Sequence, residues 1–180
     1  MSNQRVGGGT SSDEAEIAGA LRLAMRGTAA SVGALTVRLP DGSWRGATVN
    51  SMISVSLNPP SILVSLNSAS QVHAAVLECR RFAVNIFASN HSEMAAIFAD
   101  PLRHRERFAE GQWESEQYGL PVLADAVAVV VCTVAATLPF GTHTIAVGTV
   151  EQVSHSPGRE PLVYHNGHYG RWEQLRPDDT

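Results

Sequence analysis

The chain has 180 residues, 44% hydrophobic and 17% charged, with 13 Lys plus Arg against 17 Asp plus Glu and a formal charge of −4. That length suits one domain with a substantial core, and the composition excludes disordered, collagenous and coiled-coil classes. Without a basic run there is no electrostatic footprint for nucleic acid or an anionic membrane, so a small-molecule site is the default.

Residues 1–12, rich in Gly, Ser and Thr, offer little to bury and are expected as a disordered tail. They lack the apolar centre of a signal peptide, and no later run approaches the roughly 20 apolar residues of a spanning helix, so the cytoplasm is expected. Ser12 or Asp13 then opens DEAEIAGALRLAMRG, an amphipathic helix with acids in its first turn and Gly27 as its stop. SVGALTVRL, GATVNSMISVSL and SILVSLN follow as three strands parted by the turn-forming PDG and NPP. SASQVHAAVLECR is a helix capped by Ser68 or Ser70, RFAVNIFA a strand, and SEMAAIFA a helix that stops at Asp100 before Pro101. Residues 101–120 predict a surface loop or short helix. AVAVVVCTVAATLPF and TIAVGTVEQVSH are two long strands joined at GTH, and PLVYHNGHYGRW gives a last strand and a glycine-rich bend. The first of the two long runs is apolar without alternation, the mark of a strand covered on both faces: in a sandwich, a closed barrel or a dimer interface. Cys79 and Cys132 stand in apolar stretches and are expected reduced and buried. Strands dominate and few are followed by a helix, which favours a mainly β, antiparallel barrel over a doubly wound sheet.

Along TVNSMISVSL, the side chains of Thr48, Asn50, Ser51, Ser54 and Ser56 give a narrow hydrogen-bonding face without bulk. It is either the solvent face of a strand or a cradle for the edge of a flat heteroaromatic ring. Ser68 and Ser70 are helix caps, or hydroxyls beside a helix N-terminus that receives a phosphate. No G-x-S-x-G elbow, activated cysteine or metal-ligand spacing is present, so neither nucleophilic catalysis nor a metal is expected.

In this order, SVGALTV, GATVNSMISVSLNPPSILVSLN, RFAVNIFA, MAAIFAD, RERFAEGQW, YGLPVLADAVAVVVCTV, GTHTIAVGTV and PLVYHNGHYGRW resemble the flavin reductase-like, FMN-binding split-barrel family, over about residues 20–172. The family comprises short-chain NAD(P)H:flavin oxidoreductases, the reductase components of two-component flavin monooxygenases. The resemblance implies a mostly antiparallel, six-stranded, Greek-key-like split barrel over residues 13–174, with a C-terminal tail at 175–180. It implies reduction of FMN or FAD by NADH or NADPH, a homodimer whose buried contact is the run Ala126–Val134, and a separate monooxygenase client reached by diffusion. Thr48, Val49, Asn50, Ser51, Ser54, Val55 and Ser56 would touch the flavin ring, Ser65, Asn67, Ser68 and Ser70 the ribityl phosphate, and Asn85 the flavin. Arg107 would supply the positive charge that is missing between Arg45 and Arg80; its other reading is a solvated surface arginine. His143 and Tyr169 would face the nicotinamide, or else be structural. Thr142 stands where the family usually has Asp, which makes positioning the better role for His143. The other readings are a non-catalytic flavin-binding protein and a flavin oxidase of the pyridoxamine-phosphate type; the latter would want a basic phosphate cluster that this sequence lacks.

Overall fold

A computed structural model describes residues 11–175; of the tails expected at 1–12 and 175–180, residues 1–10 and 176–180 lie outside the described residues, while Ser11 and Ser12 belong to a helix. Helix α1 (Ser11–Arg26) starts one residue before the earliest expected position, with Asp13 and Glu14 in its first turn and Arg26 in its last, as the helix dipole favours. Its apolar side chains Ile17, Leu21 and Met25 are exposed. The Arg26 carbonyl at its end accepts from the Asn166 N–H at 2.7 Å.

Strands β1 (Ala30–Ser31) and β2 (Gly33–Arg38) lead through the Pro40–Gly42 turn into β3 (Trp44–Val49), then β4 (Met52–Leu57) and β5 (Pro60–Asn67). Helix α2 (Gln71–Cys79), β6 (Arg81–Ile86) and α3 (Ser92–Ala99) follow, then a single 3₁₀ turn at Pro101–Arg103 and the short strands β7 (Trp113–Glu114) and β8 (Val122–Leu123). The long hairpin of β9 (Ala128–Phe140) and β10 (His143–His155) precedes a small one of β11 (Leu162–His165) and β12 (His168–Arg171). That small hairpin was expected as one strand and a bend; Asn166 and Gly167, with φ of 48° and 88°, turn it back on itself.

The run GATVNSMISVSL, expected as one strand, folds as two, so the principal sheet has seven strands rather than six, in the order β3-β2-β6-β9-β10-β5-β4. Strands β3 and β4 are consecutive in the chain yet form opposite edges of that sheet. Three chain steps from Val49 to Met52 reach at most roughly 11 Å, so the edges must come together and the antiparallel sheet curls into a barrel with one seam at Asn50 and Ser51. At that link the Ser51 hydroxyl donates to the Ser65 carbonyl at 2.9 Å, and the Ser65 N–H donates back to the Ser51 carbonyl at 3.2 Å, which extends the β4–β5 ladder by one rung.

Two apolar clusters cover the central strands from both sides. One holds Leu35, Val37, Phe82, Val84, Cys132 and Val134 with Val72 and Val76 of α2; the other holds Ala34, Ala83, Val129 and Val131 with Phe98 of α3 and Leu120, Val122 and Leu123. This double cover explains the unbroken apolar run Ala126–Val134 and corrects its expected use: it is internal to the protomer, not a contact between subunits. Cys132 is wholly buried, which pushes its thiol up to about 12, and burial also raises Cys79. Among the described residues no helix is long and apolar enough to cross a membrane.

Candidate functional site

At the barrel seam three cavities of about 560, 280 and 260 Å³ adjoin, and Thr48 lines all three. The end of β3 and the link after it supply Thr48, Val49, Asn50 and Ser51; the end of β5 supplies Ser65 and Asn67. Sheet closure therefore makes the site, because it brings the break after β3 against the end of β5. The Thr48 hydroxyl donates to the Ala95 carbonyl of α3 at 2.6 Å, fixing the helix that forms the opposite wall.

One end of the cleft is built by the turn entering α2. The Asn67 side-chain oxygen accepts from the Ala69 N–H at 2.9 Å, and the Asn67 carbonyl accepts from the Ser70 N–H and hydroxyl at 3.0 and 2.8 Å. Ser70 caps the helix by accepting from the His73 N–H at 3.1 Å, which leaves the Gln71 and Val72 N–H groups without partners among the described residues. Arg107 lines the same cavity. Its guanidinium donates to the Gly46 carbonyl at 2.6 Å and the Asp100 carbonyl at 2.9 Å, while its Nε is buried with no partner. Burial pulls its pKa below the ordinary guanidinium value and Asp100 opposes that; at neutral pH the group remains charged. Arg107 is thus half-buried and anchored, not a solvated surface arginine.

The other end carries the two expected nicotinamide residues. His143, exposed at the start of β10, lines the cavity with Asn50, Ser51 and Ser65, and its Nδ1 lies 2.9 Å from the Thr142 hydroxyl. The Thr142 carbonyl accepts from the Ser68 N–H at 3.0 Å, which ties the hairpin tip to the turn before α2. Tyr169 is half-buried with its ring centroid 5.4 Å from that of Tyr164; burial, and then Tyr164, raise its phenol pKa. It lines the third cavity with Thr48, Asn50 and Ala99, so His143 and Tyr169 occupy adjoining cavities that share Thr48 and Asn50.

Five expected flavin residues lie elsewhere. Ser54, Val55 and Ser56 sit on the edge strand β4, where Val55 is 50% exposed and the Ser56 hydroxyl accepts from the Asn58 N–H; none of the three lines the cleft. The chain has crossed to the opposite sheet edge before reaching them. Asn85 is completely buried: it donates to the Ala34 carbonyl and the Thr36 hydroxyl and accepts from the Leu123 N–H, so it braces the core. Ser68 stands in the turn without lining the cleft. Sequence reasoning missed Gln71, Phe98, Ala99, His104 and Tyr164, all lining residues. For Gln71 the signal was available, since it directly follows the cap; for the others there was none.

Residues 25–173 match the family model described as a flavin reductase like domain. The chain is 35% identical over 161 residues to FMN reductase (NADH) RutF of Pseudomonas syringae pv. syringae (strain B728a), covering 89% of this chain and 88% of that protein. It is 41% identical over 138 residues to flavin reductase (NADH) of Kitasatospora aureofaciens, covering 74% and 70%. Among solved structures, the NADH:FAD oxidoreductase of Streptomyces globisporus, in complex with NAD and FAD fragments, superposes with a TM-score of 0.79 at 28% identity, covering 92% of this chain and 96% of that one.

Proposed function

The chain belongs to the flavin reductase like domain family, and from that premise we propose that its cleft binds a flavin phosphate-end inward, to be reduced by NADH and released to a separate flavin-dependent monooxygenase. The chain is a flavin reductase, with one reductase domain over residues 13–174. The observation that carries the orientation is the coincidence, in one cavity, of the unpartnered Gln71 and Val72 N–H groups and the anchored Arg107 guanidinium, whose Nη1 and Nη2 each spend one of two N–H groups on a carbonyl. Donors left open at a helix start beside a fixed guanidinium suit a phosphate.

When bound, the nicotinamide supplies the hydride and the flavin accepts it, so no side chain need act as nucleophile. What remains for the protein is orientation. Ser70 and Arg107 hold the phosphate, while Thr48 to Ser51 and Ser65 line the ring's polar edge. The Asn50 side-chain amide, exposed and without a partner among the described residues, is free to donate to a ring carbonyl. His143 and Tyr169 position the nicotinamide from adjoining walls.

A homodimer is supported by the outer face of the barrel. Ile53, Leu63, Val147 and Ala136 stand in one row across β4, β5, β10 and β9, and Ile145 and Leu138 in the next. The alternating residues Val64 and Ala146 are buried, so these rows point outward, where Ile53 is 61% and Leu138 58% exposed. An apolar sheet face of this kind is a subunit contact in solution. Two free cysteines and no disulfide among the described residues agree with a cytoplasmic enzyme.

The test is NADH consumption by the purified chain with and without added flavin, alongside its mass in solution. Flavin-dependent turnover by a dimer is expected, with Leu138→Asp giving monomer. Flavin binding without turnover would replace the reductase with a non-catalytic flavoprotein.

A further inference from the structure

The cleft does not end at the phosphate seat. Gln71, His104 and Arg107 line both the 560 Å³ cavity and a further one of about 210 Å³, whose remaining walls are Trp44, Arg45, Gly46 and Phe108. FMN terminates at its phosphate, so nothing in that ligand reaches beyond Arg107. Yet the walls beyond it carry specific chemistry. Trp44 presents an indole fixed by a T-shaped contact with Phe108, centroids 5.4 Å apart. The Arg45 Nη1 donates to the Ser43 hydroxyl at 3.3 Å and the Trp44 carbonyl at 2.9 Å, while its Nε and Nη2 have no partner among the described residues. His104 Nδ1 donates to the Pro101 carbonyl at 3.3 Å, and its Nε2 has no partner among the described residues.

An aromatic wall, a second guanidinium and an amide, continuous with a phosphate seat, match a purine nucleotide: the indole offers a stacking surface and Arg45 a second anionic contact. We propose that this shelf takes the adenosine 5′-phosphate half of FAD, so that the chain selects FAD over FMN through Trp44 and Arg45. The proposal rests on the flavin orientation given above. NADH carries the same nucleotide half, but its expected partners His143 and Tyr169 line the two cavities that do not share Gln71, His104 or Arg107 with the shelf. Continuity through those three residues assigns the shelf to FAD.

Calorimetric titration of the full chain with FMN and with FAD, in the absence of NADH, is the direct test, repeated for Trp44→Ala and Arg45→Gln. FAD is expected to bind about tenfold more tightly than FMN, with Trp44→Ala removing most of that advantage and Arg45→Gln a smaller part. Arg45→Gln keeps the test decisive if Trp44→Ala disturbs the packing of Phe108. The KM for NADH, measured with FMN as acceptor, separates the two nucleotide sources. A rise in that KM in the variants, with FAD affinity unmoved, assigns the shelf to NADH and overturns the FAD assignment. Equal affinity for the two flavins in the unaltered chain, with neither variant changing FAD affinity, overturns it as well. If neither FMN nor FAD binds the unaltered chain, the flavin orientation itself fails, a result distinct from either.

Discussion

Asn85 in the core and Arg107 at the cleft wall are both polar side chains set among apolar ones, and their hydrogen bonds end differently. The Asn85 amide donates at 3.2 Å to the Ala34 carbonyl and at 3.1 Å to the Thr36 hydroxyl, and accepts from the Leu123 N–H at 2.8 Å. Nothing is left over. Arg107 makes two good bonds to carbonyls and keeps a buried Nε without a partner. A closed network on a buried group braces a fold, whereas a guanidinium that lines a cavity and spends only one N–H of each Nη leaves donors for an incoming acceptor. The Asp125 Oδ1 is also buried and unpartnered, but its other oxygen accepts from His91 Nε2 at 3.0 Å and it lies outside the cleft.

The largest effect should come from opening the closed network. Asn85→Ala strands the Leu123 N–H and the Ala34 carbonyl, which costs about 2–4 kcal/mol of stability in a denaturant titration. The protein that remains folded should bind flavin as before; loss of flavin affinity at full stability would make Asn85 a ligand and dissolve the contrast. Arg107→Met should do the reverse. It is expected to weaken flavin binding about 10- to 30-fold by calorimetry, with a stability loss nearer 1 kcal/mol. Lys at this position should not restore affinity, since one ammonium cannot span the Gly46 and Asp100 carbonyls and still reach a phosphate.

Ser70→Ala lies between the two, because Ser70 closes one bond and borders open donors. Losing the cap costs about 1 kcal/mol of stability. If the open Gln71 and Val72 N–H groups hold the phosphate, the same change should weaken FMN by about fivefold and leave riboflavin unmoved. Equal losses for both ligands would move the phosphate elsewhere.

This contrast also explains which parts of the molecule were legible in the sequence. Strands and helices were, because period-two runs, the Ser70 cap and the PDG turn are local signals. The break at Asn50 and Ser51 was not: the alternation of hydroxyl and apolar side chains continues through it, and only closure of the sheet requires the chain to change edges there. The same continuity made Ser54, Val55 and Ser56 resemble Thr48 and Asn50, although the crossing carries them out of the cleft. Asn85 looked like any small polar residue in a strand, since its partners Thr36 and Leu123 lie 49 and 38 residues away. The seam residues and the turn before α2 were legible because each is local, and Arg107 because residues 46–79 hold no Lys or Arg of their own. His104 and Phe98 come to the cleft only through the packing of α3, which no short pattern reports.

Glu151 supplies the baseline for both cases: a closed network that lines none of the cleft cavities. It lies eight residues along β10 from His143, roughly 26 Å in an extended strand, so its effects are separable from those of the cleft. One carboxylate oxygen accepts from the Thr133 hydroxyl, the other from Arg81 Nε and Nη2 at 3.1 and 2.8 Å. The Thr133 hydrogen bond first, and then those from Arg81, hold its pKa below the ordinary carboxylate value. A group depressed on folding contributes stability above its unfolded pKa, about 4.3 for Glu, and loses it as the pH falls through the lower folded value. The Glu151 side chain is 36% exposed and screened by water, so the contribution is below about 1 kcal/mol. Glu151→Gln should therefore lower the Tm at neutral pH by less than about 4 °C. The gap should narrow as the pH falls below the ordinary carboxylate range, until the two melting curves meet. A gap that stays constant with pH would come from packing rather than charge. Flavin affinity should not change at any pH where both proteins are folded, because a network with every donor and acceptor spent has nothing to offer a ligand.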